Sequence, residues 1–216
     1  MQRHRLVFAA LPICLLLCAA AIATANNDSG DVVTLSVSPN RTFMEVVGQN
    51  NVFPTTNPQR AMQAGYLSRL ASIDSIFSGN PKDETTAELT FVNDVLRTQV
   101  NAIGPVGIIQ RDGTFTLYLS SGSANFADLN TFASGTPVLT GSSHQQVVFN
   151  GSPGTFSAYT DVTVTESKAF GLGGKPYRLG KVGDTFRVFY FGDVTGMAVP
   201  SALFGGYAVG TGRVND

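Results

Sequence analysis

Thr185-Phe186-Arg187-Val188-Phe189-Tyr190-Phe191 is the stretch on which the fold turns. Its β-branched and aromatic composition reads as strand, entered through the turn pair Gly183-Asp184. Phe186, Val188 and Tyr190 alternate with Arg187, Phe189 and Phe191, so both faces are largely apolar. A strand of an antiparallel sheet with two apolar faces lies between layers: core on one side, and a helix, loop, partner or ligand on the other. Phe186, Val188 and Tyr190 are therefore the predicted ligand-binding residues, facing a barrel interior.

Outward from that stretch, short β-rich runs broken by Gly, Asn, Asp and Pro fill most of the chain. Val32–Ser38, Arg41–Val47, Glu88–Val95, Val100–Gln110, Thr114–Ser120, His144–Asn150, Thr155–Thr165, Tyr177–Leu179 and Gly206–Val209 are the predicted strands. In Thr114–Leu119, Phe115, Leu117 and Leu119 form one apolar face and Thr114, Thr116 and Tyr118 a mixed one, as in a strand half in contact with solvent. Asp112-Gly113 and Asn150-Gly151 sit between alternating runs and suit tight hairpin turns, and Gly173-Gly174 marks another. The long connection from Gly122 to Pro137 carries Phe126, Leu129 and Phe132, which tuck it onto the body of the protein.

One helix is predicted, over residues 58–77. Met62, Tyr66, Leu70, Ile73 and Phe77 recur at intervals of three and four, with Asn57-Pro58 as its start and Gly79-Asn80-Pro81 as its stop. It is the expected second layer over the strand at 185–191. The fold class is all-β: a single antiparallel β-barrel, or a two-sheet sandwich, with one amphipathic α-helix. Closure is favoured over the sandwich because successive hairpins give up-and-down connectivity and a barrel has no exposed edges.

Arg3 and Arg5 precede an unbroken apolar run, Leu6–Ala23, that ends Ala23-Thr24-Ala25 ahead of polar Asn26. That is the layout of a cleaved secretory signal peptide over residues 1–25, followed by a disordered lead-in at 26–31 and a single β-rich domain at 32–216. Cleavage removes Cys14, Cys18, His4 and two arginines. The mature chain is then free of cysteine, keeps His144 as its one histidine, and has no Trp. Twelve Lys and Arg remain against fifteen Asp and Glu, a formal charge of −3. The expected location is secreted or periplasmic.

Composition narrows the function. No basic cluster is present to neutralise a row of phosphates, which argues against nucleic acid. A lone histidine without cysteine argues against zinc, copper or iron, so no metal and no cofactor are expected. Gly171-Leu172-Gly173-Gly174-Lys175 fails as a phosphate loop because Pro176 replaces the required Ser or Thr. Gly141-Ser142-Ser143-His144-Gln145 lacks the closing Gly of a nucleophile elbow. A membrane-spanning barrel is disfavoured because the strands read as shorter than the nine to eleven residues required; no membrane contact is expected after signal cleavage.

Two functions survive. One is an exported, non-enzymatic barrel that binds an apolar small molecule or a partner surface. The other is a cofactor-free cyclase or isomerase acting on a hydrophobic substrate, with Glu45, His144 or Arg187 projecting inward among apolar residues as acid or base. Solvent-facing positions for all three would remove the support for the second. In general layout the chain is similar to small secreted barrels such as the dirigent and allene oxide cyclase proteins, an analogy of fold from which no residue is carried over.

Overall fold

The computed structural model describes residues 31–213, apart from 121, 123, 151–153 and 198. The predicted signal peptide at 1–25, and the predicted lead-in except for Asp31, lie outside the described residues. The strands are β1 (Val33–Leu35), β2 (Thr42–Phe53), β3 (Arg60–Leu70), β4 (Leu89–Ile103), β5 (Val106–Leu119), β6 (Thr136–Asn150), β7 (Thr155–Ser167), β8 (Ala169–Leu172), β9 (Lys175–Leu179), β10 (Asp184–Val194) and β11 (Ala202–Arg213). Eight of them close an antiparallel barrel in the order β10-β11-β2-β3-β4-β5-β6-β7, and β1, β9 and β8 form a separate three-stranded sheet. The sandwich alternative is excluded by that closure.

The interior of an eight-stranded barrel is just wide enough to be filled by side chains. Here one end is filled by a chain of rings. Phe43 meets Phe186 edge-on at 5.3 Å, Phe186 meets Phe115 at 5.8 Å, and Phe115 stacks on Phe91 at 5.8 Å. Leu67, Leu89, Leu117, Leu139 and Val164 pack around them. Leu35 and Val37, Phe170 and Leu172 of β8, Leu179 of β9 and Ile76 join the same cluster, so the small sheet and the 71–88 connection close that end of the barrel. The β8–β9 hairpin turns through Gly173 and Gly174 at positive φ, as its sequence predicts.

The segment predicted as a helix over 58–77 is instead strand β3 followed by irregular chain. Register puts Gln63, Gly65 and Leu67 on the interior face, level with Asn50, Gly48 and Val46 of β2. Met62, Ala64 and Tyr66 face outward, where Ala124, Leu129 and Phe132 cover them; the last two belong to a short 3-10 helix, Leu129–Ala133. A strand buried on both faces loses its period of two, and the apolar positions that remain happen to fit a helix. Gly65 belongs to the strand for a different reason: a Cβ there would sit 2.0 Å from the Val47 carbonyl oxygen. Residues 124–134, and not an α-helix over 58–77, supply this outer layer, which lies over β2–β4.

A second correction concerns Asp112-Gly113, which lies inside β5 rather than in a turn. Val100–Gln110 and Thr114–Ser120 are accordingly not separate strands, because β4 runs on to Ile103 and the chain reverses before Val106. Gly113 pairs with Val95, and a Cβ on it would stand 2.0 Å from the Asp94 carbonyl oxygen, so it permits close approach of neighbouring backbones. Gly113→Ala is expected to cost about 1–3 kcal/mol by overpacking, measured by urea denaturation; an unchanged midpoint would mean that β4 and β5 separate easily here.

The barrel strands are 11 to 15 residues long, so the length argument against a membrane barrel does not hold. The outward faces of β5, β6 and β7 carry a different signal, whereas that of β10 and β11 exposes Phe191, Leu203 and Tyr207. Asp112, Thr114 and Thr116 on β5, Ser142, His144 and Gln146 on β6, and Asp161 and Thr163 on β7 share faces opposite the apolar interior. A membrane barrel has the reverse arrangement.

Candidate functional site

The end of the barrel away from the small sheet holds a cavity of about 180 Å³. Val52, Ile109, Val147, Phe149 and Phe156 form most of its wall, while Asn50, Gln63 and Arg111 supply the polar groups. Strand register explains this layering. Along β5 and β6, Gly107 faces Phe149, Ile109 faces Val147, and Arg111 faces Gln145, each pair one step deeper than the last. Apolar residues thus ring the mouth above a polar layer, and the aromatic core lies below it.

That polar layer spans β3 to β7 through side chains alone. Gln63 and Gln145 exchange amide hydrogen bonds at 3.0 and 2.8 Å. Asn93 Nδ2 donates to Gln63 Oε1 at 2.9 Å, the Ser143 hydroxyl donates to Asn93 Oδ1 at 2.8 Å, and Gln145 Nε2 donates to the Thr160 hydroxyl at 2.9 Å. Buried amides satisfied in this way tie neighbouring strands together at one fixed register.

Arg111 joins the layer on different terms. It is 4 % exposed, and Nη1 donates to Gln145 Oε1 at 3.2 Å. Its Nε is buried without a partner. Burial, with a smaller contribution from the positive charge of Arg97, lowers its pKa to about 10, so the guanidinium remains charged at neutral pH. The acidic residues of the surrounding wall face the other way. Asp94 is held by Arg60 at 2.7 Å, Asp112 by His144 at 2.6 Å, and Asp161 by Arg187 at 2.7 Å, all on the outside of the barrel. Asn50 adds an unpartnered acceptor, since its Nδ2 donates to the Ser201 hydroxyl while its Oδ1 is buried without a donor.

The residues singled out from the sequence fall elsewhere. Glu45, His144 and Arg187 occupy the outer faces of β2, β6 and β10, with side chains 42, 50 and 37 % exposed and partners Arg69, Asp112 and Asp161. They do not project inward and do not converge. Exposed pairs of this kind contribute about 0.2–1 kcal/mol, so Glu45→Gln and His144→Asn are each expected to shift a urea midpoint only slightly and to leave any ligand affinity at the mouth unchanged. A large loss of affinity from either would return these residues to the site.

Phe186, Val188 and Tyr190 do face the interior, but within its packed part. Tyr190 stands edge-on to Phe204 at 4.9 Å, and Phe186 lies between Phe43 and Phe115. Burial raises the Tyr190 phenol well above its ordinary pKa, an effect that nearby Thr160 partly opposes without forming a hydrogen bond of good geometry. On the opposite face of the same strand, Phe191 lies tilted beside Tyr207 at 6.4 Å and is 53 % exposed; with Val47, Phe126 and Leu203 it lines an external groove of about 360 Å³. The mouth residues were missed by sequence reading, although Arg111 shares an alternating face with Phe115 and Leu117 once β5 is read as one strand. No protein-family model matches the chain, and comparison with curated proteins and with solved structures found no match.

Proposed function

We propose that this chain is an exported, non-enzymatic binding barrel that takes the apolar part of a small molecule into its open mouth, outside any membrane. The observation that carries this reading is the cavity of about 180 Å³, walled mainly by apolar side chains, at the one end of the barrel that the small sheet does not close. Pockets that bind small molecules combine such a wall with a few placed polar groups. The interior below is packed with side chains, so a ligand enters from the mouth and not along the whole barrel axis.

The cyclase or isomerase alternative drew on Glu45, His144 and Arg187, and their outward positions leave it without an acid or base in the cavity. Native mass spectrometry of protein secreted by its own host tests the proposal. The expected result is a mature chain starting at Asn26 that carries a co-purified small molecule, lost on addition of an excess of 1-octanol. A bare chain that also fails to bind 1-octanol would overturn it.

A further inference from the structure

Two side chains of the mouth, Arg111 and Asn50, keep a buried polar atom without a partner, and Arg111 is the charged one of the two. A buried guanidinium is ordinarily paired with a carboxylate, because an unpaired charge out of water is costly. Every ion pair described for this wall lies outside the barrel, and Arg111 receives only a single amide oxygen at 3.2 Å. Arg97 stands opposite Arg111 in the β4–β5 pairing and is itself exposed, so a second positive charge lies nearby, and the described lining of the cavity includes no Asp or Glu. Two arginines facing each other without an acid are unfavourable for the empty protein. A bound anion relieves both.

From this juxtaposition we infer that the mouth selects an amphipathic carboxylate: an apolar body against Ile109, Val147, Phe149 and Phe156, with its carboxylate on the fork of Arg111. The inference rests on the reading of the mouth as a small-molecule pocket and adds the chemical class of the ligand. A guanidinium presents two parallel N–H donors to a carboxylate, a geometry that an alcohol, ester or neutral amide cannot match. The Nε is the donor that the protein leaves without a partner. The size of the cavity suits a body of roughly six to ten non-hydrogen atoms, judged against the ~150 Å³ cavity that holds benzene. That range covers a medium-chain or monocyclic aromatic acid.

Octanoate and 1-octanol share an apolar body and differ in the head group, so titration calorimetry with both separates the two levels of the argument. The wild-type chain is expected to bind octanoate roughly tenfold or more tightly than 1-octanol. Arg111→Met is expected to abolish that preference by weakening octanoate while holding 1-octanol within about twofold, and Arg111→Lys, which keeps the charge and loses the fork, is expected to fall between. Equal or tighter binding of 1-octanol by the wild type would overturn the carboxylate assignment and leave the apolar pocket standing. Binding of neither compound would overturn the pocket itself. Because the first comparison uses only the wild type, it is decisive even if a variant fails to fold.

Discussion

Arg111→Met is expected to make the ligand-free protein more stable, by about 1–3 kcal/mol, or roughly 2–12 °C in melting temperature for a domain of this size. Burial holds the guanidinium at a pKa of about 10 instead of 12.5, which corresponds to a penalty of about 3 kcal/mol on its charge. Met keeps the apolar stem and removes the charge. Gln145 Oε1 loses one donor but keeps Gln63 Nε2, so no amide is orphaned. The alkaline behaviour provides a second readout. Above about pH 10 the folded wild type sheds the Arg111 proton before the unfolded chain does, so this residue's contribution to stability rises with pH. Tyr190 acts in the opposite sense, because it keeps its proton while unfolded tyrosine ionises. With Arg111 gone, the alkaline loss of stability should be steeper. Urea melts at neutral and alkaline pH check both points, and a less stable variant would mean that the guanidinium stabilises the polar layer by more than its desolvation costs.

The largest loss is expected from Phe115→Ala, about 3–5 kcal/mol. The ring is fully buried, stacked on Phe91 with an interplanar angle of 15° and set edge-on to Phe186 at 83°. Across β6 it faces Gly141, which has no side chain to move into the space. The cavity therefore stays open, and the upper part of the range applies. Tyr118→Ala, on the outward face of the same strand, is the control and should cost less. Comparable losses from the two would mean that the interior relaxes around the missing ring.

The barrel was legible because alternation survives wherever one face meets water, as at Phe115, Leu117 and Leu119, and because Gly173-Gly174 and the Asn150 turn separate true hairpin strands. It was not legible at β3, where Met62 and Tyr66 are covered from outside and Gln63 is buried inside, so the contrast between faces disappears. The site was hidden by the reading of Asp112-Gly113. A turn there severs Arg111 from the face of Phe115, whereas a continuous β5 places the arginine four residues along the same interior row. His144 drew attention as the lone histidine, yet the neighbouring Gln145 is the residue that points inward.

Closure of the barrel also sets the order in which the molecule can assemble. β2, the first strand of the wall, finds its second neighbour in β11, the last, with Thr42 beside Val209 and Asn50 beside Ala202. During synthesis the ring of inward phenylalanines remains unsealed until β11 has emerged. Such distant pairings bring a large entropic delay, and refolding on the order of milliseconds to seconds is the corresponding expectation. Until that seam forms, the exposed edges of β2 and its growing sheet are where chains would adhere to one another. The mouth therefore comes into existence only as β11 docks.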